Sequence, residues 1–171
     1  MAVICRDTAG YLGALRYEFR LQGIPLFCDE ATMPENTAPA RAVHAALDLL
    51  RGVSSRSILR LLKTGLVDLP DAQQCALENY AYTWQLTAAD WRAPFTCSAA
   101  GYAGRDTEQD KQTLADAEAA RAYLMERIAA FVPKASGAPA AALTKQLYLF
   151  LESLGAEKTL DRLAEELRAQ G

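Results

Sequence analysis

The chain has 171 residues, of which 51% are hydrophobic and 23% charged, a composition typical of a globular protein with one core. The formal net charge of −3 excludes a general electrostatic attraction to nucleic acid or anionic lipid. No apolar stretch approaches the roughly 18 residues of a membrane helix, and no secretion signal is recognisable, so we expect a cytoplasmic protein without a membrane partner.

The N-terminal residues predict a strand, a helix and a second strand. Residues 2–6 and 24–28 are short apolar runs, and Pro25, which lacks an amide donor, suits the start of the second. Between them, apolar residues such as Leu12 and Phe19 recur at helical spacing. Two parallel strands cannot bury both faces of a sheet, so this βαβ piece is expected to be the edge of a larger α/β domain.

From residue 39 onward the apolar spacing is helical, and glycine, proline and N-cap residues separate the helices. We therefore predict two domains, a partial α/β segment over 1–38 and an all-helical domain over 39–171. The segments expected to be helical are 39–52, 54–65, 68–84 (with Asp71 as N-cap), 106–132 (ending at Pro133), 140–155 and 157–171.

The sequence offers no catalytic constellation. It contains neither a G-x-x-x-x-G-K-[ST] phosphate loop nor a G-x-G-x-x-G motif after a strand. The single histidine, His44, lies in the middle of a predicted helix and is interpreted as a structural or surface residue. We therefore assign no catalytic residue.

Metal binding is not predicted either. The four cysteines are too far apart in sequence for a zinc-ligand pair, and we expect reduced, mostly buried thiols. Three closely spaced acids fit the start of a helix, where the helix dipole favours negative charge, better than a metal site. The residues considered are Cys5, Cys28, Cys75 and Cys97, and Asp106, Glu108 and Asp110.

Three cations share one face of a predicted helix. Arg56, Arg60 and Lys63 stand at positions i, i+4 and i+7. Such a row can contact DNA phosphates, although three contacts give only weak, salt-sensitive binding. The alternative is an ordinary solvated helix face, and the sequence leaves both readings open.

Four aromatic residues lie close together in the segments "ENYAYTW" and "ADW", namely Tyr80, Tyr82, Trp84 and Trp91. Aromatic rings can stack on single-stranded bases. Because basic residues are not interleaved with them, a hydrophobic anchor between helices is favoured.

Several stretches resemble a known family. "MAVICRDTAGYLGALRYEFRLQGIPLFCDE" resembles the start of the second motor domain (2A) of superfamily 1 helicases, where a strand ending in arginine precedes a helix and a "GIP" strand. In that family a helical 2B subdomain is then inserted. "ILRLLKTGLVDLP", "LENYAYTWQLTAADW" and "LYLFLESLGAEKTLDRLAEELRAQG" resemble the B subunit of the AddAB-type ATP-dependent helicase/deoxyribonuclease. The stretch "LTAADW" departs from the family, which more often has a glycine before the tryptophan.

The resemblance implies a mostly α fold, with a short βαβ piece of a 2A-like motor domain followed by an all-helical 2B-like domain. It implies a non-catalytic fragment that scaffolds the subunit and contacts DNA and the partner helicase–nuclease A subunit. The parent protein would act in double-strand break repair and recombination and would use ATP, Mg²⁺ and an iron–sulfur cluster outside this span. Arg6 occupies a motif-like position for a nucleotide or DNA contact.

Two alternatives remain. The same region could come from an active superfamily 1 DNA helicase, in which 2B regulates unwinding. The chain could also be a stand-alone helical protein-interaction module whose βαβ piece is completed by dimerisation. Exposed apolar faces on residues 2–6 and 24–28 would favour either a fragment or such a dimer.

Overall fold

All regular secondary structure in the described part of the chain is helical. The computed structural model describes residues 4, 6, 10–28, 33–103 and 107–170. The chain divides into two compact units, Met1–Met33 and Pro34–Gly171. None of the helices within the described ranges is both long and apolar enough to cross a membrane.

The described residues of the first unit form one helix, α1 (Leu12–Leu21), and the predicted βαβ piece is wrong. Residues 4 and 24–28 are not strands, whereas residues 2, 3 and 5 lie outside the described part. A strand needs a neighbour for its backbone N–H and C=O groups, and the described residues of this unit provide none. Ile4 and Phe27 are accordingly 94% and 90% exposed rather than packed in a sheet.

The described residues of the second unit form six α-helices and three single turns of 3₁₀ helix. The helices are α2 (Ala38–Arg51), α3 (Ser55–Leu62), α4 (Asp71–Thr83), α5 (Glu108–Ala135), α6 (Ala140–Ser153) and α7 (Ala156–Gln170). The longest connection is that between α4 and α5. The proposed division into domains over 1–38 and 39–171 stays a prediction.

Local sequence explains where most of these helices begin. Capping boxes start α3 (Ser54 with Ser57) and α5 (Thr107 with Asp110). In each, the side chain of either residue accepts a hydrogen bond from the backbone N–H of the other. The predicted N-cap Asp71 is instead the first residue of α4, after Pro70. The predicted end of α5 at Pro133 is wrong: the helix continues to Ala135, and the proline removes only the one hydrogen bond that its own N–H would donate.

The core lies between α2, α3, α4, α5 and α6. The rings of Phe131 on α5 and Phe150 on α6 stack with centroids 4.3 Å apart. Burial of such apolar side chains provides most of the free energy that stabilises a helical fold of this size. Among the most deeply buried side chains are Leu49, Ile58, Leu61, Leu77, Trp91, Leu124 and Ile128.

The connection between α4 and α5 is fixed to the core by a buried arginine. Arg121 on α5 donates hydrogen bonds to both carboxylate oxygens of Glu118 and to the backbone carbonyl of Trp91, the last at 3.0 Å. Glu118 Oε2 in turn accepts a 2.8 Å hydrogen bond from the backbone N–H of Phe95. The indole N–H of Trp91 donates to Ser55 Oγ, so the connection is held against the start of α3.

Candidate nucleic-acid interface

A groove of about 780 Å³ lies along α3, beside the C-terminal part of α4. Its apolar floor contains Leu59 and Ala81, both buried, and half-buried Leu86. The hydroxyl group of Ser55 donates a hydrogen bond to the carbonyl of Leu86, which ties one end of the groove to the α4–α5 connection. The groove therefore has a fixed, partly apolar base.

Four exposed cations line this groove. The structure brings the predicted Arg56, Arg60 and Lys63 together and adds Arg41, which projects from α2. The sequence alone does not identify Arg41 because it belongs to a different helix, and only the packing of α2 on α3 brings it near the predicted row.

Two of these cations are paired with acids. Arg60 forms an ion pair with Asp48 of α2, and Lys63 forms one with Glu78 of α4. The hydrogen bond with Glu78 raises the pKa of Lys63. Within the described residues, neither Arg41 nor Arg56 forms an ion pair, so these two side chains carry the uncompensated positive charge of the groove.

An exposed tyrosine completes the groove. Tyr82 on α4 is 61% exposed, and the Nζ atom of Lys63 lies 5.8 Å from the centroid of its ring. The interpretation of the aromatic cluster as a hydrophobic anchor is confirmed for Tyr80 and Trp91, which are buried, and is wrong for Tyr82. Its neighbour at i−2, Tyr80, points into the core, and this helical spacing is the signal that could have separated the two rings.

The other candidate residues do not join this groove. Arg6 is exposed within the first unit, and its proposed nucleotide or DNA contact stays a prediction. His44 is exposed on α2. Glu108 and Asp110 lie in the first turn of α5, as expected for helix-start acids, and Asp106 lies outside the described residues.

The cysteines are free thiols wherever the structure describes them. Cys28 is half-buried, whereas Cys75 and Cys97 are exposed, so the prediction of mostly buried thiols is wrong for these two. Cys5 lies outside the described part. The described residues contain no group of three or more histidine, cysteine or acidic side chains that could hold a metal ion.

The sequence is similar along its whole length to proteins named as the B subunit of an ATP-dependent helicase/deoxyribonuclease. It is 28% identical to the protein from Heliobacterium modesticaldum over 180 aligned positions. The identity is 27% with the Alkaliphilus oremlandii protein over 98% of the chain, and 26% with the one from Clostridium botulinum strain Loch Maree over the full chain. The chain is homologous to these B subunits.

The resemblance stated from the sequence motifs is thereby confirmed. The chain spans about 15% of the length of the B subunits that it matches, so it corresponds to one region of them. No protein-family model matches the sequence.

Proposed function

We propose that this region of a helicase/deoxyribonuclease B subunit is a non-catalytic helical module that contacts DNA phosphates through the α3 groove. One observation supports the proposal most directly. Arg41 and Arg56, whose guanidinium groups form no ion pair with a described residue, lie beside two further cations in one groove. A guanidinium group presents planar donors that match the geometry of a phosphate.

The proposal includes the setting of the whole protein. The relatives are named as subunits of a helicase/deoxyribonuclease, which supports a partner subunit and DNA as substrate. That the partner is an A subunit, that the protein acts in double-strand break repair and that it is cytoplasmic belong to the same proposal. ATP, Mg²⁺ and an iron–sulfur cluster would be bound elsewhere in that protein. The described cysteines do not fit a cluster, because Cys28, Cys75 and Cys97 are not part of any group of three potential ligands.

The test is a DNA titration followed by fluorescence anisotropy. The double variant Arg41→Ala with Arg56→Ala removes both unpaired cations of the groove. The matched control, Arg162→Ala with Arg168→Ala, removes the same charge from exposed positions on α7. We expect the groove variant to lose about tenfold or more in affinity at low salt and the control to lose less than about twofold. Equal losses in the two variants would contradict the proposal.

A stand-alone interaction module is the second candidate, and exposed apolar side chains on α6 and α7 favour it. Tyr148 is 64% exposed, Leu149 43% and Leu167 69%. If these side chains mediate self-association, sedimentation velocity should show a dimer that Leu149→Lys with Leu167→Lys disrupts. A monomer across a wide concentration range would rule out this candidate.

A further inference from the structure

The groove combines positive charge with an apolar surface that a phosphate-only site does not need. Arg41 and Arg56 provide unpaired positive charge, whereas Leu59, Leu86 and the exposed ring of Tyr82 provide apolar surface beside it. Duplex DNA presents its sugar–phosphate backbone outward and keeps its bases stacked inside. A concave apolar surface gains contacts only from a base that is unstacked.

We propose that the groove binds an unpaired nucleotide of single-stranded DNA, with the base against Tyr82 and the apolar floor and the flanking phosphates at Arg41 and Arg56. This inference rests on the proposed DNA contact and makes it specific for single strands. The volume of about 780 Å³ is in the range of small-ligand pockets, so the groove can hold a nucleotide.

The tyrosine ring lies beside a cation of the groove. Lys63 Nζ is 5.8 Å from the ring centroid and forms an ion pair with Glu78. An exposed aromatic ring beside cations is the combination that binds single-stranded DNA in other proteins.

The polar groups of the groove favour binding without strong sequence preference. The hydroxyl of Ser55 donates to the Leu86 carbonyl and accepts from the Trp91 indole. The hydroxyl of Thr64 donates to the Leu61 carbonyl at 2.7 Å. Both are therefore already engaged within the protein, which leaves the Gln85 amide at the rim, beside the cations and the Tyr82 hydroxyl, to contact the edge of a base. Stacking, which every base can provide, then dominates the contact.

The experiment compares three DNA probes of equal length by fluorescence anisotropy with the 171-residue chain. The probes are an oligothymidylate of about 15 nucleotides, an abasic strand with the same number of phosphates, and a duplex. We expect the oligothymidylate to bind about fivefold more tightly than the abasic strand, because only the former offers a base to the ring. It should also bind more tightly than the duplex.

Variants at the ring test the same contact. Tyr82→Ala should weaken oligothymidylate binding about fivefold and leave abasic binding unchanged, whereas Tyr82→Phe should retain it. The control is Tyr17→Ala, which removes a tyrosine of similar exposure (62% against 61%) from α1 and should change neither.

The two hypotheses fail in different ways. Equal binding of the oligothymidylate and the abasic strand, with no effect of Tyr82→Ala, would overturn the single-strand inference. The phosphate contact would still stand if Arg41→Ala with Arg56→Ala weakened the binding of both probes. If that double variant bound every probe as the wild type does, or if no probe bound the wild type, the proposed function would fail as well.

Discussion

Arg60 on α3 forms an ion pair with Asp48 on α2, although a helical plot of α3 alone shows Arg60 as a free cation of the basic row. The pair has two consequences. It links α2 to α3, and it reduces the charge that Arg60 can offer to a phosphate. The ion pair of Lys63 with Glu78 has the same effect on the other side of the groove.

Removing one of these acids should strengthen DNA binding. Asp48→Asn frees Arg60 for one additional phosphate contact, which should steepen the salt dependence of single-strand binding by about 0.7 in log–log slope. The cost in stability should stay below about 1 kcal/mol, because both partners are partly exposed. Anisotropy titrations at several salt concentrations measure the slope. Asp161→Asn on α7 is the control, and an equal change in both variants would exclude a local effect of Asp48.

Because Arg121 is buried, the stability of the fold should depend on the charge of its partner, Glu118. The hydrogen bond from Arg121 holds the pKa of Glu118 below its usual range. Burial of the carboxylate acts in the opposite direction, and the hydrogen bond from the Phe95 amide lowers the pKa further. Because the folded-state pKa is lowered, this stabilisation is present above the unfolded pKa of about 4.3 and is lost as pH falls through the folded value.

Glu118→Gln should therefore lower the free energy of unfolding by about 1.5–3 kcal/mol at neutral pH. The difference from wild type should begin to shrink as the pH falls below the unfolded-state pKa of about 4.3 and should go on shrinking through the lowered folded-state pKa. Urea denaturation at a series of pH values measures both. The control Glu126→Gln removes an exposed acid of the same helix and should have little effect. A loss that is independent of pH would argue against the charged pair.

The turn between α6 and α7 should tolerate only glycine. Gly155 has φ of +76°, and a Cβ atom there would come within 2.6 Å of the Cβ of Asp68. Asp68 cannot easily move, because its backbone N–H donates to the Leu154 carbonyl at 2.8 Å. Gly155→Ala should cost about 1–2 kcal/mol for the backbone conformation and about 1–3 kcal/mol more for the clash.

A matched glycine separates these two costs. Gly137 has φ of +73°, but a Cβ atom there would meet no heavy atom within 4 Å. Gly137→Ala should lose only the conformational part, about 1–2 kcal/mol, in the same thermal or urea denaturation. Equal losses at the two positions would mean that the approach of Asp68 to Gly155 is not a real constraint.

The second residue after α4 offers a stabilising change. Gln85 has φ of +45°, in the left-handed region where a side chain is unfavourable, and it lies at the rim of the groove. Gln85→Gly should raise the free energy of unfolding by about 0.5–1 kcal/mol, as expected for a glycine just past a helix C-terminus. Gln85→Ala keeps the strain and should give no gain. A loss of stability in the glycine variant would show that the Gln85 side chain makes a favourable contact.

The helices after residue 38 could be predicted because their apolar spacing and capping residues are local signals. The N-terminal strands could not, because a short apolar run such as residues 24–28 has the composition of a strand whether or not a neighbouring strand exists. The described residues provide no neighbour, and Phe27 stays exposed.

The groove was only partly predictable for a related reason. The spacing of Arg56, Arg60 and Lys63 places them on one face of a helix, and this needs no tertiary information. The contribution of Arg41 and the acids that pair with two of the cations depend on the packing between helices. Arg56 could therefore be predicted from the sequence, whereas Arg41 and the ion pairs that leave Arg41 and Arg56 as the unpaired cations emerge only from the three-dimensional arrangement.

The most direct test of DNA binding by this groove is the salt dependence of single-strand binding. For oligothymidylate, the log–log slope of affinity against salt should become shallower by about 1.4 in the Arg41→Ala, Arg56→Ala variant, because two phosphate contacts are lost. The α7 control variant Arg162→Ala, Arg168→Ala should keep the wild-type slope. An unchanged slope in the groove variant would contradict the claim that this groove binds DNA.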